Sequence, residues 1–203
     1  MSHLFFLEGN IGSGKTTLLN AIEHYINYKK IIDIEIVYEP VKKWQEMGLL
    51  DSFYRDIKRW SYTFQNAAFI TKIMELDKLD KDKIYIIERS PMTDKNCFAE
   101  LCFENGFMSK MEFDLYNMWY DHFTKNIIPK GYIYLKSKPL ICLERINIRK
   151  RDEESTISID YLEKLNNKHK KWLFARHDTL EIDDFNLDLI EETVERIVQY
   201  VSQ

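Results

Sequence analysis

The sequence predicts an α/β fold, a single domain over residues 1–203 in which a parallel five-stranded sheet is flanked by helices on both faces. Three observations lead to this prediction. Short apolar runs alternate with longer amphipathic segments, and the first run leads directly into a glycine-rich turn. No repeat, low-complexity tract or interdomain linker interrupts the chain, whose length gives room for one large core.

The apolar runs and the helical periodicity place the individual elements. Strands are expected near residues 3–7, 34–38, 84–88, 131–135 and 179–182. Helices are expected near residues 15–28, 59–78, 93–104, 109–126, 139–150, 158–173 and 187–201. Because ligands of such sheets bind beyond the carboxyl ends of the strands, the residues that end each strand are the candidates for function.

Composition and charge exclude several classes of protein. A net charge of −4 argues against a general nucleic-acid partner, and no apolar run approaches the length needed to span a membrane. The first strand begins almost at Met1, so we expect neither a secretory signal nor a transit peptide. Three cysteines in apolar, helix-like settings are expected to be reduced core thiols. The expected compartment is the cytoplasm, or the host cytoplasm for a viral protein.

The turn after the first strand is a phosphate-loop pattern. It reads Gly9-Asn10-Ile11-Gly12-Ser13-Gly14-Lys15-Thr16-Thr17. Its glycines let backbone N–H groups turn towards a polyphosphate, and the following helix adds its positive end. Lys15 can reach the β and γ phosphates, and the Thr16 hydroxyl can bind Mg²⁺. We therefore predict ATP or another nucleoside triphosphate with Mg²⁺. The alternative is a glycine-rich turn that carries a lysine by chance.

Two further strands end in carboxylates. Glu39 ends the second strand, where Pro40 stops the ladder, and its carboxylate is positioned to take a proton from an attacking hydroxyl. Glu88 and Arg89 end the third strand and suit a Mg²⁺ and phosphate site. The alternatives are a solvated strand-end acid and a surface ion pair worth less than about 1 kcal/mol.

An aromatic-rich stretch follows the second strand. It contains Trp44 and Tyr54, and helical spacing then places Trp60 and Phe64 on one face. Gln65 lies on the neighbouring face, and its amide can both donate to and accept from a nucleobase edge. From these residues alone, an aromatic core with one exposed glutamine is the favoured interpretation.

Arginines cluster at the end of the predicted helix over residues 139–150. Arg145 and Arg149 are four residues apart and share a face, and Arg151 lies beyond them. Planar guanidinium groups suit the charge of a transferring phosphate. With an expected hinge at Ser155 and Thr156, they predict a mobile arginine lid. The alternative is a charged, solvated helix end.

Taken together, these motifs resemble the deoxynucleoside kinase family, which includes deoxycytidine, deoxyguanosine, mitochondrial thymidine and insect multisubstrate kinases. The resemblance runs from about residue 4 to about residue 185. It implies a P-loop kinase fold with an arginine-rich lid, and a reaction that phosphorylates the 5′-hydroxyl of deoxyribonucleosides for nucleotide salvage. Family members are usually homodimers, and feedback inhibition by a deoxynucleoside triphosphate is often seen.

The resemblance also implies residue roles. Glu39 would be the general base, and Arg89 would hold its carboxylate and the phosphate region. Lys15 would neutralise charge on the transferring group, and Glu88 and Thr16 would organise Mg²⁺. The expected donor-binding residues are Gly9, Asn10, Ile11, Gly12, Ser13, Gly14, Lys15, Thr16, Thr17, Arg145, Arg149, Arg151, Asp184 and Phe185. The expected nucleoside-binding residues are Glu39, Trp44, Leu50, Tyr54, Phe64, Gln65, Ala68, Lys72, Arg89, Asp94, Phe98 and Glu154.

Three positions match those that govern the choice of base in the family. They are Ala68, Lys72 and Asp94. Members that prefer deoxycytidine or deoxypurines carry an arginine and an aspartate at the last two positions, and here a lysine replaces the arginine. The resemblance therefore favours deoxycytidine and deoxypurines, with thymidine preference or broad specificity as the alternative.

Three other functions compete with this interpretation. A nucleoside monophosphate kinase would normally show Asp-Arg in place of Glu88-Arg89 and would need a second basic site. A nucleotide switch would need an Asp-x-x-Gly motif and an Asn-Lys-x-Asp base reader, which residues 93–96 resemble only superficially. A scaffold role explains none of the polar strand ends. For the expected homodimer, the aromatic-rich residues 103–119 are a candidate surface.

Overall fold

A computed structural model describes residues 3–80, 82–174, 176–183 and 186–203. Its strands form one parallel sheet in the order β2-β3-β1-β4-β5, which confirms the predicted fold class. The strands are β1 (His3–Glu8), β2 (Ile34–Val37), β3 (Ile84–Glu88), β4 (Gly131–Leu135) and β5 (Thr179–Ile182). Each lies within a residue or two of its predicted position.

Helices connect successive strands and close the chain. They are α1 (Lys15–Lys29), α2 (Val41–Glu46), α3 (Leu49–Arg55), α4 (Ile57–Leu76), α5 (Pro91–Thr93), α6 (Glu100–Glu104), α7 (Lys110–Thr124), α8 (Pro139–Arg149), α9 (Ile159–Leu173) and α10 (Ile190–Val201). A π-helical segment, Asp94–Ala99, joins α5 to α6, and 3₁₀ turns span Asp152–Thr156 and Leu187–Leu189.

The central strand β1 supplies both faces of the sheet. Phe5 and Leu7 point to one face, where they belong to a core shared with α1 and α10. Leu4 and Phe6 point to the other face and pack in a cluster that includes Leu173 of α9. Successive side chains of a strand alternate in direction, so a strand that is apolar throughout requires cover on both faces. The helices provide that cover.

The sheet order places the first turn at the centre of the molecule. From β1 the chain crosses to β2 at one edge of the sheet and returns to β3 beside β1. It then crosses to β4 on the other side of β1 and ends at the opposite edge with β5. The carboxyl end of β1 is therefore the point at which the direction of winding changes. Open α/β sheets bind their ligands at such switch points.

One helical region was not predicted, and one helical prediction needs correction. The chain between residues 41 and 55 forms α2 and α3, which are too short to show a clear helical period. The single helix expected near 93–104 is α5, a π-helical segment and α6. The expected hinge at Ser155 and Thr156 lies within a 3₁₀ turn.

The three cysteines are buried free thiols, as predicted. Across the part of the chain that the structure describes, no helix combines the length and the apolar character needed to cross a membrane.

Candidate active site

The turn between β1 and α1 has a backbone conformation that favours glycine at two positions. Gly12 has φ +74° and Gly14 has φ +103°, both in the left-handed region. A Cβ on Gly12 would lie 2.4 Å from the Cys142 carbonyl oxygen of α8, so no larger residue fits without a backbone shift. Asn10 Nδ2 donates to the Leu162 carbonyl at 2.8 Å, which fixes the turn against α9 as well.

Lys15 is buried at the start of α1. Its Nζ donates to the Gly9 carbonyl at 3.1 Å and to the Asn10 carbonyl at 2.8 Å. Burial lowers the pKa of Lys15 to about 7, and the nearby Arg89 guanidinium acts in the same direction. A polyphosphate bound in the turn would favour the charged ammonium and reverse this shift.

Thr16 and Glu88 lie together beside the turn. Thr16 Oγ1 donates to Glu88 Oε1 at 2.8 Å, and the other carboxylate oxygen accepts the Glu39 N–H at 3.4 Å. Hydroxyl and carboxylate oxygens are the ligands that Mg²⁺ prefers. Among the described residues, no group of three or more His, Cys, Asp or Glu side chains could hold a metal ion. Thr16 and Glu88 are the residues beside the turn that could hold a Mg²⁺ ion.

A buried network of charges lies between β2, α4 and the end of β3. Glu39 Oε2 accepts from Arg89 Nη1 at 2.6 Å, and Glu39 Oε1 lies 3.0 Å from Lys72 Nζ. Lys72 Nζ also lies 2.6 Å from Asp94 Oδ1. The Glu39 side chain is only 6% exposed, which excludes the alternative of a solvated strand-end acid. Likewise, Glu88 and Arg89 are buried, so they are not a surface ion pair.

The network keeps Glu39 ionised. Burial alone would raise the pKa of Glu39, but the positive charges of Arg89 and Lys72 outweigh burial and lower it to about 2. Glu39 is therefore an anion throughout the physiological pH range, positioned by two cations and able to accept a further hydrogen bond.

An aromatic pocket lies on the far side of this network. Phe53 and Phe64 stack with ring centroids 4.6 Å apart, and Trp44 meets Phe64 edge-on at 5.6 Å. Gln65 is only 2% exposed, so the favoured interpretation of an exposed glutamine is wrong. Asp94 Oδ2 is buried and has no hydrogen-bond partner within the described residues. A polar edge thus faces a stacked aromatic wall, which is an arrangement that suits a nucleobase.

Two adjoining cavities meet at Glu39. The larger, of about 430 Å³, is lined by the glycine-rich turn and by Arg145, Arg149 and Arg151. The smaller, of about 70 Å³, is lined by the aromatic pocket. Glu39 and Arg89 line both cavities.

Arg145 and Arg149 in the second half of α8, and Arg151 just after it, line the larger cavity beside this junction. Glu154 is buried and pairs with Arg149, and its Oε1 lies 3.2 Å from Arg151 Nη1. Gln45 Nε2 of α2 donates to Glu153 Oε1 at 3.0 Å, which links the 3₁₀ turn after α8 to α2. Arg145 Nη1 donates to the Ser13 carbonyl at 2.7 Å.

The structure brings most of the expected site residues together. All expected nucleoside-binding residues except Lys72 line the smaller cavity, and Lys72 contacts two of them, Glu39 and Asp94. Gly9, Asn10 and Ser13 do not line the larger cavity; their carbonyls accept from Lys15 and Arg145 instead. Asp184 and Phe185 lie outside the described residues.

Three lining residues escaped the sequence analysis as site residues. Val41, Phe53 and Tyr161 all line the smaller cavity. Phe53 belongs to the aromatic-rich stretch, which was the available signal. Val41 is a small apolar residue two positions after Glu39, and Tyr161 is a single tyrosine on an amphipathic helix, so their side chains do not distinguish them from core residues.

Comparisons with known proteins agree with this geometry. The sequence profile of a family described as deoxynucleoside kinase matches residues 5–203. A fowlpox virus protein named probable deoxycytidine kinase is 41% identical over 176 residues, which cover 85% of this chain and 72% of the relative. Rat deoxycytidine kinase is 33% identical over 97% of this chain and 90% of its own length. A mitochondrial deoxyguanosine kinase from Xenopus laevis is 32% identical over 89% of this chain and 76% of its own length.

Proposed function

This chain belongs to the deoxynucleoside kinase family, and on that premise we propose that it transfers the γ-phosphate of ATP to the 5′-hydroxyl of deoxyribonucleosides. Deoxycytidine and deoxypurines are the favoured acceptors. One observation carries the proposal: Glu39 lies where the cavity of the glycine-rich turn meets the aromatic pocket. An acid at that junction can reach both a donor phosphate and the primary alcohol of a bound sugar.

The reaction is an in-line displacement. The nucleoside 5′-oxygen attacks the γ-phosphorus, its proton passes to Glu39, and the bond to the β-phosphate oxygen breaks. Lys15 and the lid arginines neutralise charge on the transferring group. Thr16 and Glu88 would hold Mg²⁺, which would supply positive charge to the donor phosphates. Tyr54 and Glu154, which line the smaller cavity, are the proposed partners of the sugar 3′-hydroxyl.

The low pKa of Glu39 defines what kind of base it is. A carboxylate with a pKa of about 2 is a weak proton acceptor, but it is always charged and has a fixed position. In a loose transition state the nucleophile keeps most of its proton until late, so orienting the hydroxyl contributes more than basicity does. The paired cations Arg89 and Lys72 suit that orienting role.

The polar edge of the aromatic pocket supports the proposed choice of base. Asp94 Oδ2, which has no hydrogen-bond partner among the described residues, is an acceptor that needs a donor, and the amide of Gln65, which lines the same cavity, can both donate and accept. The amino group of cytosine or adenine offers such a donor, whereas thymine presents a carbonyl oxygen and a methyl group at the corresponding position. Leaving a buried carboxylate oxygen unpaired would disfavour thymidine.

The outer face of α7 supports the proposal of a homodimer. Five large apolar side chains recur at helical spacing on this helix and remain exposed or half-exposed: Met111, Leu115, Met118, Trp119 and Phe123. A second copy of the chain would cover this stripe. Met118→Glu is expected to yield a monomer in analytical ultracentrifugation.

We also propose feedback inhibition by a deoxynucleoside triphosphate, and a cytoplasmic location, which suits the buried free thiols.

A competition assay tests the central proposal. The purified protein is incubated with ATP, Mg²⁺ and an equimolar mixture of the four deoxynucleosides, and the products are separated by chromatography. We expect 5′-monophosphates of deoxycytidine and the deoxypurines to form first. A strong preference for thymidine would overturn the proposed base choice alone. Phosphorylation of added monophosphates but not of nucleosides would overturn the proposed reaction in favour of a monophosphate kinase.

A further inference from the structure

One buried acid has no part in the reaction described above. Glu8 is the last residue of β1, directly before Gly9, and it is 0% exposed. An ionisable side chain in the middle of a sheet is costly unless hydrogen bonds compensate its desolvation. The partners of Glu8 therefore indicate what its presence stabilises.

Both carboxylate oxygens of Glu8 reach across to the turn that follows β3. Oε1 accepts the Ser90 N–H at 3.0 Å, and Oε2 accepts from Thr93 Oγ1 at 2.6 Å. Ser90 Oγ in turn accepts the Thr93 N–H at 3.1 Å. Glu8 thus fixes the start of α5 to the central strand.

The residue immediately before this anchored turn is Arg89, and its backbone is strained. Its φ is +59°, a left-handed conformation that residues other than glycine rarely adopt. Such a conformation persists only where the surrounding structure holds it. Here the Arg89 N–H donates to the Leu7 carbonyl at 3.0 Å, and the next peptide N–H, that of Ser90, donates to Glu8.

The strained backbone directs the Arg89 side chain into the site. The guanidinium lies over the Phe98 ring, 5.1 Å from its centroid, and Nη1 donates to Glu39 Oε2 at 2.6 Å. A φ outside the left-handed region would point the side chain elsewhere and leave Glu39 with Lys72 as its only paired cation among the described residues.

The structure assigns Glu8 the role of a positioning residue: by hydrogen-bonding Ser90 and Thr93 it holds Arg89 in the conformation that pairs it with Glu39. Glu8 touches no substrate in this arrangement and acts through Arg89. The kinetic consequence rests on the proposed function, whereas the structural consequence does not.

The first test compares Glu8→Leu, which removes both acceptor oxygens, with Glu8→Gln, which keeps one. We expect Glu8→Leu to lower kcat by about tenfold or more, since displacing a positioned group by about 1 Å has effects on the order of 10²-fold. The KM for the triphosphate should stay within about twofold, because the glycine-rich turn is untouched. Glu8→Gln should recover part of the lost kcat, since its amide oxygen still accepts the Ser90 N–H.

A matched control separates this role from general destabilisation. Ile133→Val truncates a fully buried side chain in the neighbouring strand β4, where Ile133 pairs with Leu7 and its apolar side chain makes no hydrogen bond to Glu8 or Arg89. It should lower the melting temperature and leave kcat unchanged. An equal loss of kcat in Glu8→Leu and in Ile133→Val at matched melting temperature would show a purely structural role and overturn the assignment. If Glu8→Leu does not fold, Thr93→Val removes one of the two donors and makes the same comparison.

A double-mutant cycle tests whether Glu8 acts through Arg89. In an Arg89→Ala background, replacing Glu8 should cause little further loss of kcat, and fully additive effects would contradict the assignment. A crystal structure of Glu8→Leu needs no assay: we expect Arg89 to leave the left-handed region and lose its pair with Glu39, and retention of both would overturn the inference. A wild-type protein that phosphorylates no deoxynucleoside would overturn the proposed function, while this structural test would still decide the role of Glu8.

Discussion

The two halves of the candidate site are built in different ways. The donor half is built mainly on one continuous segment, Gly9–Thr17, most of which lines the larger cavity; arginines from the end of α8 and the residues after it complete the lining. The acceptor half assembles side chains from α2, α3, α4, the π-helical segment and the 3₁₀ turn after α8. The geometry of a contiguous loop depends mainly on its own residues, whereas the geometry of an assembled pocket depends on every element that contributes a side chain to it.

The halves also differ in how they hold charge. On the acceptor side, Glu39, Arg89, Lys72 and Asp94 compensate one another, and each is almost fully buried. On the donor side, Lys15 is buried and no described carboxylate lies within ion-pair distance of it, so burial and the charge of Arg89 lower its pKa to about 7. Substitutions in the acceptor half should therefore act by removing ion-pair partners, whereas a change of pH should alter ligand binding in the donor half.

The largest expected effect is on catalysis at the junction of the two halves. Glu39→Gln removes the proton acceptor and should lower turnover by roughly 10²–10⁴-fold. The dissociation constant for the nucleoside should change far less, because most of its contacts lie in the aromatic pocket. Steady-state kinetics and calorimetry measure the two quantities. Glu35→Gln, a half-exposed acid on the same strand, is the control, and unchanged turnover in Glu39→Gln would remove Glu39 from the mechanism.

The next effect is on stability and belongs to the acceptor half alone. Lys72→Met leaves Asp94 without its paired cation and Glu39 with one in place of two, so the free energy of unfolding should fall by about 3–5 kcal/mol. Lys95→Met is the matched control, because it breaks a pair with the exposed Asp121 and should cost about 0–1 kcal/mol. Urea denaturation at pH 7 measures both. Equal losses would mean that burial of the network adds nothing.

A smaller effect distinguishes the halves by ligand. Gln65→Ala should weaken nucleoside binding by about 1–3 kcal/mol, since polar groups of the base lose a buried partner. Triphosphate binding should be unchanged. Isothermal titration with each ligand separates the two outcomes. Asn66→Ala is the neighbouring control, as the Asn66 amide donates to the Tyr62 carbonyl of the same helix. A loss shared by both ligands would show that the halves are not independent.

The smallest effect is the pH response of the donor half. The pKa of Lys15 is about 7 in the free protein, and bound phosphates should hold the lysine protonated, so binding takes up a proton above pH 7. Between pH 7.5 and pH 9 the dissociation constant for the triphosphate should rise, by at most about tenfold per pH unit. Nucleoside affinity should not follow, because the pKa of Glu39 lies near 2. Lys15→Arg stays charged and should abolish the pH response; a flat wild-type profile would contradict the low pKa.

Residue patterns in the sequence predict the donor half more fully than the acceptor half. The glycine-rich turn follows an apolar strand and opens a helix, so its position and its chemistry could be predicted from a few adjacent residues. The acids that end β2 and β3 could be predicted to meet near that turn, because parallel strands end at one edge of a sheet. By contrast, α2 and α3 are too short for periodicity to predict, and the π-helical segment, which carries Asp94 and Phe98, leaves no pattern in the sequence.

The sequence by itself determined the layered α/β fold, the phosphate loop and the strand ends at which chemistry is concentrated. These are local properties: alternation of apolar residues, glycines at left-handed positions and short spacings along the chain. Only the tertiary structure decided that Gln65 is buried, that Lys72 contacts both Glu39 and Asp94, and that Glu8 holds the turn at Arg89. Those contacts join residues up to 85 positions apart. Their energies come from desolvation and pairing, which exist only after the chain has packed.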